Sequence, residues 1–452
     1  MESITSTWSI RSLVLTLALT LTACGGSSSS GGDVTTAPDA QAPDVQTPAT
    51  PTPNGQTPAA PTGNWIAPKG VTGSVRNVLN TESLEGVAVQ VYDSADLENG
   101  GELPTAASFI MAPLFVVYTD PNGQFSTPPF GVMGHPIFRY FLADYLDTTL
   151  HYTAPAPDLG DESPLQLEPA RLPTQDEVNG TPDIAGEIKD AITGEPVANA
   201  TVKLFLNGNT TLTPSYTLET DSNGMYEQAA VEAGVYSAVI SATGYVTTSR
   251  NTLYAYVGAT SDYDEQNRNL NFTITPVSAE GVWRIVLTWG EHPEDLDSHI
   301  WAPAENLTAE NCTENGGWDY DKHIYYSHKK DTADTLNLDV DDTTSYGPET
   351  ITITHQQAGT YYYSIHHYSG EKTIAESGAK IQVYKGGDLK KEFYAPTTGG
   401  EGKYVWEVFN LNGDTITTVN AYQTHRMYDG GLACPRTYDD IPDGEGDFDG
   451  PM

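Results

Sequence analysis

The sequence predicts an all-β chain: small β-sandwiches in tandem, preceded by a disordered linker. Three observations predict it. Apolar residues recur at every second position in short runs, the period of half-buried strands. Asn-Gly pairs at Asn122-Gly123 and Asn223-Gly224 punctuate those runs and supply the positive φ angles that tight hairpins demand. One stretch of the chain also repeats further on. At about 150 residues per domain, roughly three folded units are expected from the 452 residues present.

The N-terminus comes first. Ser12 to Leu21 reads SLVLTLALTL, too short for a spanning helix of about 20 residues but of the length of a signal-peptide core. Leu21-Thr22-Ala23-Cys24 follows, then GGSSSSGG. These four residues resemble the lipobox of bacterial lipoproteins. That resemblance implies cleavage before Cys24 and a lipid (diacylglyceryl and palmitate) anchor on it. An ordinary signal peptide cut nearby is the alternative. Gly25 rather than Asp follows the cysteine, which by resemblance to Gram-negative sorting implies the outer membrane. Residues 1–23 are thus expected as a signal peptide. Residues 24–64, dominated by Gly, Ser, Thr and Pro, are expected as a disordered spacer. Extended at ~3.1 Å per residue, the spacer would reach up to ~120 Å from a membrane.

Beyond it lies the repeat. TGSVRNVLNTESLEGVAVQVY, from Thr72 to Tyr92, aligns without gaps to AGEIKDAITGEPVANATVKLF, from Ala185 to Phe205. TDPNGQF, from Thr119, likewise matches TDSNGMY, from Thr220. The second copy continues with AGVYSAVISATGYVTT, whose Tyr236, Ala238 and Ile240 share one face, then Gly244-Tyr245. This ordered pattern resembles the carboxypeptidase regulatory-like domain, which implies a seven-stranded, transthyretin-like (Ig-like) sandwich without catalytic activity, acting as a spacer or a ligand-contacting surface. The resemblance covers about 183–276 throughout. Over 70–170 it holds at both ends only, because PPFGVMGHPIFRYFLADYL shows no clear G-x-Y strand.

From Val282 the texture changes. VWRIVLTW reads as a strand and leads into GEHPEDLDSHIWAP; later come LDVDDTTSYGPETITI and YYYSIHHYSG. These ordered motifs resemble the YfaP-type domain of unknown function over about 282–421, which implies a third, secreted β-sandwich and no particular activity.

Within it, Asp295, Asp297 and His299 occupy alternate positions. On a strand all three project from one face, with Leu296 and Ser298 on the other, at ~6–7 Å spacing. They can converge on a cation if a neighbouring strand adds ligands. Candidates are Asp339, Asp341 and Asp342, Glu349, and His366 or His367. An all-oxygen subset suits Ca²⁺, whereas His299 with His366 favours Zn²⁺ or Mn²⁺. The competing reading makes Asp295 and Asp297 caps of turns, with His299 packed against Tyr or Trp.

Charge and cysteine content narrow the partners. Acidic residues number 60 against 21 basic, a net charge of −39, so nucleic acid is excluded as a partner on electrostatic grounds. With Cys24 assigned to the anchor, Cys312 and Cys434 remain. In an oxidising compartment they are expected to pair, contributing ~4–5 kcal/mol if unstrained; two unpaired thiols are the alternative. The tail 439–452 has six acidic residues and no basic one. Its spacing does not fit an EF-hand loop, so a disordered end is expected. The 26 tyrosines against 11 phenylalanines leave room for sugar-stacking surfaces or for ordinary half-buried rings on sandwich faces.

Catalytic signatures are missing. The sequence holds no HExxH, no GxSxG, and no phosphate-binding or dinucleotide glycine motif. Ser327-x-x-Lys330 sits in a polar stretch without helical signals. The expectation is a non-catalytic surface lipoprotein whose membrane contact is its lipid anchor. It would display a binding module, cation-stabilised through Ca²⁺, for a carbohydrate or an envelope protein. A metal-dependent hydrolase is the alternative from another class.

Overall fold

The computed structural model describes residues 63–78, 82–97, 112–153, 164–174, 180–256, 267–303 and 323–424. Cys24, Cys312, Cys434, the segment 1–23, nearly all of 24–64 and the tail 439–452 lie outside them. The described residues belong to one compact unit. Among them no helix is long and apolar enough to cross a membrane.

The first sandwich has ten strands: β1 (Trp65–Ala67), β2 (Val71–Asn77), β3 (Ala88–Asp93), β4 (Phe115–Tyr118), β5 (Gln124–Ser126), β6 (Phe130–Val132), β7 (Pro136–Phe141), β8 (Thr148–His151), β9 (Leu165–Gln166) and β10 (Ala170–Leu172). One layer runs β4-β3-β7-β8; the other runs β10-β2-β5, with β9 also on β2 and a separate β1-β6 pair. Alternating Val87, Val89 and Val91, all fully buried, meet Val71, Val75 and Phe138 between the layers. Trp65 is in this core as well, so the folded chain starts before residue 70.

The second sandwich repeats that plan with seven strands: β11 (Ile184–Asp190), β12 (Thr201–Leu206), β13 (Tyr216–Glu219), β14 (Met225–Gln228), β15 (Gly234–Ser241), β16 (Thr248–Ala255) and β17 (Phe272–Ile274). Its layers are β13-β12-β15-β16 and β14-β11-β17. In both copies the last strand pairs in parallel with the first strand of the repeat.

The equivalence locates the strand missing from the first copy. Val89 pairs with Tyr140 on β7, as Val202 pairs with Ile240 on β15. Gly134-His135-Pro136 therefore stands where the second copy has Gly234-Val235-Tyr236. Asp144-Tyr145 stands for Gly244-Tyr245, with φ of 70° at Asp144 and 88° at Gly244. The signature was hidden by Pro in place of Tyr and by Asp in place of Gly. Asp tolerates the left-handed region better than most side chains.

The Asn-Gly segments are not hairpins. β4 and β5 belong to opposite layers, as do β13 and β14, so each turn carries the chain across the sandwich. Only the glycines take positive φ, 71° at Gly123 and 70° at Gly224. The preceding aspartates organise the bend. Asp120 Oδ1 accepts from the N–H groups of Asn122 and Gln124, and Asp221 Oδ1 from those of Asn223 and Met225.

The third sandwich has strands β18 (Trp283–Thr288), β19 (Asp295–Trp301), β20 (His323–Ile324), β21 (Leu336–Val340), β22 (Glu349–Ile353), β23 (Thr360–Ser369), β24 (Lys380–Lys385), β25 (Asp388–Tyr394), β26 (Val405–Asn412) and β27 (Thr415–Gln423). They form two five-stranded layers, β21-β22-β18-β24-β25 and β20-β19-β23-β26-β27. An apolar cluster with Trp283, Trp406, Phe393 and Phe409 fills the space between them.

Candidate metal centre

On β19, Leu296 and Ile300 are fully buried members of the core. Strand alternation then turns Asp295, Asp297, His299 and Trp301 to the other face. Antiparallel pairing with β23 sets Asp297 directly opposite His366. Between the pairs Asp295–Ser369 and Leu296–His367 the register shifts, leaving Tyr368 as the extra residue of a bulge. On its other side β19 is bordered by β20 only at Ile300 and Trp301. Further back along that edge, the Ser298 N–H donates to the Glu349 carboxylate instead of to a strand. Glu349 is presented by the first position of β22, after a loop with left-handed backbone at Ser345, Tyr346 and Gly347.

Two groups of donors result. Carboxylate oxygens of Asp295, Asp297 and Glu349 lie within 4.8 Å of one another; so do donor atoms of Asp297, His299 and His366. All five side chains are buried: Asp295 is 5% exposed, Asp297 and His299 2%, Glu349 0% and His366 7%. Asp295 Oδ1, Glu349 Oε1 and His299 Nε2 are buried with no hydrogen-bond partner. Two like charges at this separation repel by about 3–4 kcal/mol at an effective dielectric near 20. Burial, reinforced by Asp297 and then Asp341, pushes the Asp295 carboxyl up to about 7. Burial and the same two neighbours hold Glu349 well above the ordinary carboxylate range. The carboxylates therefore share the site only with protons or with a cation.

The imidazoles are shifted the opposite way. Burial, with His323 and His366 nearby, depresses His299 well below its usual value; His323 falls to about 3, chiefly by burial. Both rings are neutral. His299 Nδ1 lies 2.9 Å from His323 Nε2. Its ring stacks against Trp301 and Tyr325, with interplanar angles of 24° and 20°. The packing part of the competing reading thus describes His299. The capping part does not describe Asp295; the turn-capping aspartates are others, such as Asp120, Asp221, Asp190 and Asp331.

Of the further candidates, Glu349 and His366 join the clusters and Asp339 does not. The pairing of β21 with β22 shifts between Leu338 and Val340. With Leu338 buried in the core, Asp339 points away, accepts from Thr352 Oγ1 at 2.5 Å and faces Arg284. Asp341 stands at the edge, close enough to perturb Asp295 and Glu349, with Oδ2 held by Lys329 at 2.7 Å. Asp342 accepts from Thr344 and faces Lys189 at 3.7 Å. His367 stacks on Tyr404. Alternation within one strand was readable from the sequence, but register between strands was not.

Residues 183–267 match the carboxypeptidase regulatory-like domain, so this segment is similar to that family. No curated protein matches the chain. Among solved structures, the shaft pilin SpaA of Lactobacillus rhamnosus GG aligns at 12% identity, over 46% of this chain and 98% of its own, with a TM-score of 0.16. A Bacteroides uniformis protein provisionally named as carbohydrate binding aligns at 15% identity, over 48% and 97%, with a TM-score of 0.17. A cohesin–X-dockerin complex of Acetivibrio cellulolyticus aligns at 18% identity over 22% of this chain, which spans 60% of that one, with a TM-score of 0.16.

Proposed function

We propose that the protein is a non-catalytic envelope lipoprotein, held by a lipid on Cys24, that displays its C-terminal sandwich as a binding module organised by a cation. The anchor rests on the apolar run, the lipobox-like LTAC and the Gly/Ser-rich segment behind it. The observation that carries the cation is the trio Asp295, Asp297 and Glu349. These are three buried carboxylates within 4.8 Å, and neither Asp295 nor Glu349 forms an ion pair with a Lys or Arg among the described residues. Oxygen donors of this kind suit Ca²⁺, with backbone carbonyls or water completing six to eight ligands. A bound cation removes the mutual repulsion and fixes the edge of β19 against β22. The adjoining surface is thereby ordered for a carbohydrate or an envelope protein. The lack of hydrolase motifs supports binding over turnover.

The test is thermal unfolding of the full chain after chelation. Added Ca²⁺ should raise the melting temperature, by the equivalent of about 2.7 kcal/mol at a hundredfold excess over Kd. Asp295→Asn and Glu349→Gln should each abolish the shift. An unchanged melt at millimolar Ca²⁺, with no response to chelator, would defeat the cation. Absence of acyl label that depends on Cys24 would defeat the anchor.

A further inference from the structure

We propose that the acidic trio is one half of a two-cation centre, and that Asp297, His299 and His366 bind a second ion, a borderline transition metal, with the Asp297 carboxylate shared between the two. This deepens the preceding reading but uses different ligands at two of its three positions.

Geometry supports it first. Asp297 and His299 are alternate residues of one strand, and His366 is the direct cross-strand neighbour of Asp297. Their donor atoms fall within 4.8 Å of each other. His366 Nδ1 stands 3.6 Å from Asp297 Oδ2. That is long for a hydrogen bond. It is close to the ~3.3 Å that separates two ligands of a tetrahedral ion bound at ~2.0 Å each.

The second observation is the imidazole of His299. A single proton occupies the 2.9 Å contact between its Nδ1 and Nε2 of His323. Whichever ring supplies that proton, the buried His299 Nε2 has no hydrogen-bond partner, an unsatisfied group that costs about 1–3 kcal/mol unless an ion engages it. With His299 Nδ1–H donating to His323, Nε2 presents the buried lone pair that an ion would take. Metal-ligating histidines are held in this way, with the far N–H engaged by a partner that fixes tautomer and ring angle. Stacking of His299 on Trp301 and Tyr325, and of His323 between the same two rings at 4.3 Å from each, holds both imidazoles in place. His323 is a positioning residue here, not a ligand.

Two imidazoles and one carboxylate favour Zn²⁺, Co²⁺ or Ni²⁺ over Ca²⁺, whereas the three-carboxylate half favours the harder ion. Three protein ligands leave the fourth tetrahedral position to water or to a donor from whatever the module binds.

Chelated full-length protein, titrated with Co²⁺ and read by visible absorption, tests the proposal. The wild type should develop the d–d bands of a low-coordinate nitrogen–oxygen site at one equivalent per chain, and Zn²⁺ should displace them. His299→Gln and His366→Gln should each remove the bands while leaving the Ca²⁺-dependent melting shift. Glu349→Gln should do the reverse, which separates failure of this site from failure of the acidic one. His323→Gln should weaken Co²⁺ about 10–100-fold without removing a ligand. Far-UV circular dichroism establishes that each variant is folded. Wild-type protein without bands, bands that survive both histidine substitutions, or bands lost with Glu349→Gln would each overturn it.

Discussion

A second histidine pair shows what burial, with a neighbouring imidazole, does to a side chain. His151 closes β8 at 3% exposure, with its Nδ1 3.0 Å from Nε2 of His135. Nδ1 of His135 in turn meets Ser94 Oγ. The Asp93 carboxylate accepts from the N–H groups of Ala95, Met133 and Gly134. It exerts its charge on His135 rather than on His151. Burial, and then His135, drive His151 from 6.5 to about 3. The folded state therefore refuses a proton that the unfolded chain takes up below pH 6.5. Stability from this group is complete above that pH and is lost as pH falls towards the folded value, at about 1.4 kcal/mol per unit. Denaturant titrations of wild type and His151→Gln, both with chelator, should converge as the pH drops from neutral to about 5. A constant gap between them would mean that His151 takes up its proton freely in the folded protein.

The turns between strands separate two costs usually confounded at glycine. Gly224 and Gly244 both have left-handed backbone, at 70° and 88°. A Cβ on Gly244 would meet nothing within 4 Å, whereas on Gly224 it would stand 2.8 Å from the Ile188 carbonyl oxygen. Gly244→Ala should cost only the backbone term, about 1–2 kcal/mol. Gly224→Ala adds a clash with backbone that cannot move without breaking the Gly224 C=O bond from Ile188 N–H. Chemical denaturation should rank Gly224→Ala as clearly worse; equal losses would place the whole effect in φ. Native Asp144 accepts the Gly244 penalty in the first copy, which is why the repeat was legible at its start and in TD-x-NG but not here. The patterns that local chemistry enforces were readable: Val87-Val89-Val91, the Asp-anchored bends and the alternation of Asp295, Asp297 and His299. Which layer each bend joins was not, nor that Glu349 at the start of β22 would reach the β19 edge while Asp339, at a register shift of β21, turned away. Those outcomes depend on residues far apart in sequence.

At the scale of the molecule, the sandwiches are bound to one another by side chains that the repeat does not share. Glu168 of the first sandwich pairs with Arg250 of the second at 2.9 Å, and Tyr254 accepts from the Arg171 N–H at 2.6 Å. Val235 and Tyr256 of the second sandwich lie in the core of the first. Gln166 bonds the Tyr394 carbonyl of the third, and Gln124 and Arg76 both reach Thr397. Arg284 on β18 donates to Thr275 and Pro276 beyond β17, while Ala191, Val286 and Tyr384 form a small shared core. A chain of independent beads would need none of these. With them, the folded region should unfold as one cooperative block. The Glu168 carboxylate is 10% exposed and the Arg250 side chain 36%, so Arg250→Ala strands a mostly buried charge while losing a partner that water already screens in part. The expected cost is about 1–3 kcal/mol, below that of a fully buried pair. Scanning calorimetry should show a single transition for the wild type. For Arg250→Ala the transition should split, with the first sandwich melting ahead of the others. Separate transitions already present in the wild type would show that these ties are too weak to couple the sandwiches.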